Sequence, residues 1–245
     1  MKDNKDIGMK PMKKYTKEEL AKFFDHTLLK PEASEEDIRA LCEEAAALGT
    51  MSVCVNSRFV CLARGALDET DPTIKVAAVA GFPLGAMSTA AKAYEAARAV
   101  KDGAEEIDMV IAIGAVRQGD SDYVIEDVRA VRKAIDEAAA EAAGDHRPVL
   151  KVILETGLLS DEEIEAACGW AIEGGADYLK TSTGFGHGGA EVRHIEIMKR
   201  SIPADREIKI KASGGIRDLE TALAMIDAGA SRIGASATAS ILAEL

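Results

Sequence analysis

Cysteine is scarce in this chain, and long apolar runs and an excess of positive charge are missing altogether. The four cysteines, Cys42, Cys54, Cys61 and Cys168, are too few and too scattered for a disulfide framework. None forms a CxxC pair, which argues against a structural zinc site. No window approaches the run of about 18 apolar residues that a membrane span needs. Lysine plus arginine number 30 against 42 aspartates plus glutamates, a net charge of −12. That balance lacks the basic footprint of a nucleic-acid-binding surface. There is no GxxxxGK[ST] run, which excludes a P-loop. The four histidines, His26, His146, His187 and His194, show no HExxH-like spacing. The first fourteen residues, MKDNKDIGMKPMKK, hold five lysines and no apolar stretch of signal-peptide length. The expectation is a disordered basic tail over 1–14, one folded unit over 15–245 and a reducing, cytoplasmic setting, with neither nucleic acid nor membrane as partner.

What is present reads as a folded α/β protein, 47% hydrophobic and 29% charged. Capping boxes at Thr16/Glu19, Ser34/Asp37 and Ser160/Glu163 open helices. Further helices are expected over about 57–66, 89–102, 121–143, 190–200 and 218–228, with one more at the C-terminus. Between them lie strands over 25–29, 51–56, 74–79, 105–111, 149–154, 177–182, 208–212 and 231–234. Strands that alternate with helices imply parallel βα units. Eight such units in about 250 residues fit a single-domain (β/α)8 TIM barrel, here with a short extra N-terminal helix. A doubly wound parallel sheet is the alternative.

Strands buried on both faces should be nearly all apolar. Several here carry charges: Glu106 and Asp108 in GAEEIDMVI, Lys151 in VLKVILE, Lys180 in DYLKTS, and Lys209 and Lys211 in IKIKAS. Side chains alternate along a strand, so Glu106 and Asp108 share one face and Lys209 and Lys211 share another. Lysines crowded in a dry site repel one another, which favours the neutral amine. A neutral lysine is the nucleophile of Schiff-base chemistry, and a carboxylate such as Asp108 could move the protons. Strand-end residues that snorkel to water, or ion pairs that merely hold a barrel together, are the plainer reading of any single one. Nothing in the spacing chooses Lys180 over Lys211.

Glycine-rich loops follow two of these strands, at Gly184 to Gly189 and at Gly214-Gly215, and Gly234-Ala235-Ser236 closes the last strand. Backbone N–H groups in such loops bind phosphate, commonly after the seventh and eighth strands of this barrel. Gly184, Gly186 and Gly189 also spell GxGxxG, but a lysine just before the loop stands where a dinucleotide fold wants an apolar residue. His26, beside Asp25, is a candidate for either a polar network or a structural role.

Seven motifs in order, DHTLLKP (25–31), VCVNSRFV (53–60), GFPLGA (81–86), EEIDMVIAIGA (105–115), LKVILETG (150–157), YLKTSTGFG (178–186) and IKASGGIRD (210–218), resemble the 2-deoxyribose-5-phosphate aldolases, a class I Schiff-base family. The resemblance spans Asp25 to Ser236. It implies Lys180 as the Schiff-base nucleophile, Lys211 as the second lysine that lowers its pKa, and Asp108 as the proton relay. Lys151, Asp25, Thr27 and Cys54 match the supporting residues, and Gly184, Gly214, Gly215, Gly234 and Ser236 match the phosphate site. It implies no metal or other cofactor, a phosphosugar substrate, and a homodimer or higher homo-oligomer.

Overall fold

The computed structural model describes residues 15–142, 147–186 and 188–245. The expected basic tail, His146 and His187 lie outside them. Eight parallel strands close into one barrel in chain order. They are β1 (Phe24–Leu28), β2 (Ser52–Val55), β3 (Lys75–Ala80), β4 (Glu106–Val110), β5 (Val149–Ile153), β6 (Tyr178–Lys180), β7 (Lys209–Ser213) and β8 (Arg232–Ala235). Closure comes from β1 pairing with β8, Asp25 opposite Gly234. The doubly wound alternative is thereby removed. Around the barrel run α1 (Lys17–Ala21), α2 (Glu35–Leu48), α3 (Val60–Thr70), α4 (Thr89–Lys101), α5 (Ile113–Gln118), α6 (Ser121–Glu141), α7 (Asp161–Gly174), α8 (Val192–Ser201), α9 (Leu219–Ala228) and α10 (Thr238–Ala243). No helix among the described residues is long and apolar enough to cross a membrane.

Local chemistry explains the boundaries. All three capping boxes form, opening α1, α2 and α7. Left-handed glycines stop α2 at Gly49 and α7 at Gly175. The stretch expected as a helix over 57–66 begins as a 3₁₀ turn, Ser57–Phe59, and continues in α3 as far as Thr70. Helix α5 lacks a start signal: its N-cap is Ala112, with no side-chain cap, and Gly114 lies inside it, so only the left-handed Gly119 at its end marks it. Strand β6 is three residues long rather than six, because past Lys180 the side chain of Thr181 takes over the bonding. Its hydroxyl donates to the Ser213 carbonyl at 2.9 Å and accepts from the Ser213 N–H at 3.0 Å.

The main apolar core lies between strands and helices, built from the outward residues Val53, Val76, Ile107, Val152, Leu179 and Ile233 and the helix faces opposite them. A second, small cluster of Leu29, Cys54, Ala77 and Val79 fills one side of the barrel interior, where β2 and β3 contribute. The other side of the interior is ionic, and it is described below.

One further ion pair is buried outside the barrel. Lys92 of α4 donates to Asp127 of α6 at 2.6 Å, both with no exposure, and Thr89 donates to the other oxygen of Asp127 at 2.8 Å. The lysine stem passes under Gly81, where a Cβ would lie 3.1 Å from it. The pair therefore fixes α4 to α6 and supports the start of the loop that follows β3. Lys92→Met leaves Asp127 buried and unpaired and is expected to cost about 3–5 kcal/mol, whereas the double variant Lys92→Met/Asp127→Leu recovers most of it. Urea unfolding checks this; a single variant within 1 kcal/mol of wild type, on the same principle, would mean that the pair is hydrated.

Candidate active site

Alternation along the strands sends Asp25, Cys54, Ala77, Val79, Glu106, Asp108, Lys151, Lys180, Lys211 and Arg232 toward the barrel interior. Asp25, Glu106, Asp108, Lys151 and Lys211 have no exposure; Lys180 has 3% and Arg232 5%. Unpaired charges there would cost several kcal/mol each, and the side chains satisfy one another. Asp108 accepts from three lysines: Lys151 at 2.6 Å on one oxygen, Lys180 at 2.7 Å and Lys211 at 2.8 Å on the other. Lys151 also meets Glu106 at 2.6 Å. Lys211 also meets Asp25 at 2.5 Å. Arg232 joins Asp25 at 2.6 Å to Glu106 at 3.1 Å.

Partner counting separates the lysines. Lys151 and Lys211 each hold two close carboxylates. Lys180 holds one, Asp108, which it shares with both of the others. Burial pushes all three toward the neutral amine. For Lys180 burial prevails over Asp108, with Lys211 adding repulsion, and its pKa falls below the ordinary lysine value. For Lys151 and Lys211 burial is outweighed by the paired carboxylates, Asp108 foremost, and their pKa rises. Burial alone would raise the carboxylates, but the surrounding cations hold Asp108 well below the usual range, with Lys151 the strongest of them. Arg232, Lys211 and Lys151 likewise hold Asp25 down. Cys54, its Sγ 4.0 Å from Asp108, is pushed up by burial and stays a thiol.

Above this cluster opens a cleft of about 230 Å³. Of the strand lysines, Lys180 lines it; Thr27 and, from β8, Gly234 do too, as do Gly184, Gly214, Gly215 and Ser236 from the loops, with exposed Lys30 and Arg217 at its rim. Gly214 and Gly215 have φ of +88° and +79°, which favour glycine. Across from them a Cβ on Gly189 would lie 2.4 Å from the Gly214 carbonyl oxygen, so the two loops touch backbone to backbone.

Glu155, just past β5, braces the loop after β6. It is buried and holds a left-handed φ of +56°, a conformation that costs about 1–3 kcal/mol in a non-glycine residue. Its carboxylate accepts from the Thr183 N–H at 3.3 Å and from the Thr183 hydroxyl, and that hydroxyl accepts from the Phe185 N–H at 3.1 Å.

The structure thus brings together Lys180, Lys211, Asp108, Lys151, Asp25 and Cys54 in the interior, and Thr27 and Gly234 with the four loop residues Gly184, Gly214, Gly215 and Ser236 around the cleft. Cys54 lies beneath the cleft rather than in its lining. Lys209, expected on a dry face with Lys211, is exposed at the start of β7, its ammonium 6.0 Å from the Tyr178 ring. His26 points outward and pairs with Glu44 of α2 at 2.6 Å, a structural contact. Sequence reasoning flagged Glu106 as a buried charge without a role and missed Arg232 and Glu155. Arg232 carried the same signal as the lysines, a charge inside a buried strand.

This arrangement has known counterparts. The family described as DeoC/LacD family aldolase matches residues 20–243. Deoxyribose-phosphate aldolase 1 of Bacillus licheniformis is 50% identical over 224 residues, 91% of this chain and 95% of that protein. Deoxyribose-phosphate aldolase of Alkaliphilus oremlandii is 51% identical over 223 residues, again 91% and 95%. Among solved structures, the tetrameric deoxyribose phosphate aldolase of Aeropyrum pernix superposes with a TM-score of 0.82 at 30% identity, over 94% of this chain and 92% of that one. An eight-stranded barrel with lysines on three adjacent strands around one aspartate, matched by this family over almost all of the described chain, leads to one assignment: the chain belongs to the DeoC/LacD family of aldolases.

Proposed function

We infer that the chain is a deoxyribose-phosphate aldolase, cleaving 2-deoxy-D-ribose 5-phosphate reversibly to D-glyceraldehyde 3-phosphate and acetaldehyde through a Schiff base on Lys180. The observation that carries the reading is that Lys180 is the strand lysine that both lines the cleft and holds a single carboxylate partner. It therefore combines access to substrate with the neutral form that attacks a carbonyl.

The chemistry follows from that position. The Lys180 amine adds to the substrate aldehyde carbon, and loss of water gives an iminium. Removal of the proton from the C3 hydroxyl lets the C2–C3 bond break, its electron pair passing into the iminium to leave an enamine. Glyceraldehyde 3-phosphate departs. Protonation of the enamine carbon and hydrolysis of the iminium release acetaldehyde and return the amine. Asp108, in contact with all three lysines, is the relay for these protons, and Lys211 is the fixed cation that keeps Lys180 neutral. Lys151 and Asp25 hold Asp108 and Lys211 in place, while Thr27 and Cys54 shape the floor. The loops carrying Gly184, Gly214, Gly215 and Ser236, with Gly234 at the end of β8, bind the phosphate, with Lys30 and Arg217 adding charge at the rim. Binding energy from the phosphate, remote from the bond that breaks, then holds the reacting end against Lys180.

The physiological setting we infer is deoxyribose phosphate breakdown in the cytoplasm, where four free thiols are at home. The assembly we infer is a homodimer or higher homo-oligomer, by analogy with the tetrameric Aeropyrum pernix relative.

Two outcomes are expected. Intact mass after acetaldehyde and sodium borohydride should show one ethyl group on the wild type, mapped to Lys180, and none on Lys180→Ala. An adduct that persists in that variant would move the nucleophile to Lys211 or Lys151. Secondly, Ser236→Ala should raise KM for deoxyribose 5-phosphate about tenfold, the worth of a hydrogen bond to a charged group, and leave the slow cleavage of unphosphorylated deoxyribose unchanged. Equal losses on both substrates would take Ser236 out of the phosphate site.

A further inference from the structure

We propose that Arg232 and Glu106, which touch neither the cleft nor the reacting atoms, are positioning residues that fix the net charge of the barrel interior and so hold Lys180 as the free amine. The proposal rests on the Schiff-base reading above and adds to it a lower layer of residues that the aldol chemistry does not use.

The geometry is that of two tiers. Glu106 stands two residues before Asp108 on β4, and Arg232 two residues before Gly234 on β8. Two residues along a strand is about 6.6 Å, so this pair lies one layer beneath the reacting groups. Two side chains tie the tiers together. Asp25 gives one oxygen to Arg232 and the other to Lys211, and Lys151 reaches Glu106 below and Asp108 above. Gly234 makes the link sterically feasible: a Cβ there would lie 2.9 Å from Cε of Lys211, along the path that lysine takes into the centre.

The charges can be accounted for strand by strand. Asp25 of β1 and Glu106 and Asp108 of β4 are the anions; Lys151 of β5, Lys211 of β7 and Arg232 of β8 are the doubly paired cations. Strand β2 contributes Cys54 as a thiol, β3 contributes Ala77 and Val79, and β6 contributes Tyr178 beside Lys180. Anions and doubly paired cations are equal in number. A protonated Lys180 is the surplus, a net positive charge in a dry interior, and the cluster is neutral when Lys180 is neutral. Arginine suits the counter-charge because it does not give up its proton, so it cannot absorb the imbalance in place of Lys180. Its guanidinium carbon lies 5.6 Å from the centre of the Tyr178 ring, which adds to its seat.

The account predicts opposite effects from the two members of one pair. Removing the Glu106 charge leaves an excess of cations, and Lys180 sheds its proton more readily. Removing the Arg232 charge leaves an excess of anions, and Lys180 takes up a proton. The test is the pH dependence of Lys180 ethylation by acetaldehyde and cyanoborohydride, mapped by peptide mass, in wild type, Glu106→Gln, Arg232→Met, Arg232→Lys and the double variant Glu106→Gln/Arg232→Met. The acid limb should move to lower pH by about one unit in Glu106→Gln and to higher pH by about one unit in Arg232→Met, each a tenfold change in free amine at fixed pH. Arg232→Lys and the double variant, which keep the charge balance, should stay with wild type. Coincident limbs in all variants, or shifts of the same sign in both single variants, would overturn the proposal, since general damage to the barrel does not produce shifts of opposite sign. Where Arg232→Met does not fold, the near-isosteric Glu106→Gln decides: a limb that fails to move to lower pH overturns it. No adduct on wild-type Lys180 would instead remove the Schiff-base reading beneath it.

Discussion

A dry barrel interior that must stay electrically neutral is the constraint on which the rest of this structure depends. Parallel strands covered on one face by helices and closed on the other leave no water for a stray charge. The chain nevertheless places seven carboxylate, lysine and arginine side chains there, from Asp25 to Arg232. They are tolerated because carboxylates and cations interleave at 2.5–3.1 Å. The arrangement leaves one lysine with a single, shared partner, and that lysine faces the cleft. Reactivity in this reading is a consequence of incomplete pairing rather than of any unusual group.

The scaffold divides the labour between its two faces. Outward strand residues and the helices make the apolar core that holds the barrel closed. Inward residues are apolar near β2 and β3 and ionic elsewhere, so the reacting cluster has a greasy wall on one side. The loops at the strand ends then build the cleft. Glycines let the loops after β6 and β7 meet backbone to backbone, and a strained, buried Glu155 braces the first of them. Rigid strands set the distances between nitrogen and oxygen atoms, while loops choose what can enter.

Much of this was legible in the sequence for physical reasons. All eight strands are short, mostly apolar runs that alternate with helices, so their number and parallel sense followed from pattern, while the closure of β1 on β8 that separates a barrel from a doubly wound sheet came from the structure. The lysines of β5, β6 and β7 stood out because charge does not belong in a dry strand. The same rule failed at strand starts. Lys209 and Arg232 occupy the first position of adjacent strands, yet one reaches solvent and the other is buried between Asp25 and Glu106. Parity gives the face a residue points to, not its depth. The resemblance singled out Lys180 over Lys211, but the physical reason needed the partners of each, which lie on strands far apart in the chain. Glu155 was hidden because its conformation is imposed by a tertiary contact with Thr183, and α5 because no side chain caps its start and Gly114 interrupts it.

The most direct test of the central claim is the protonation state of each interior lysine. Proton–nitrogen NMR of protein labelled with ¹⁵N at the lysine side-chain nitrogens, with the buried resonances assigned by single Lys→Met variants, reads it without substrate. The account predicts Lys151 and Lys211 as ammonium groups that hold their protons longer than the surface lysines, and Lys180 as an amine that titrates below them. Lys180 titrating with the surface lysines, or Lys211 as the neutral member, would contradict it.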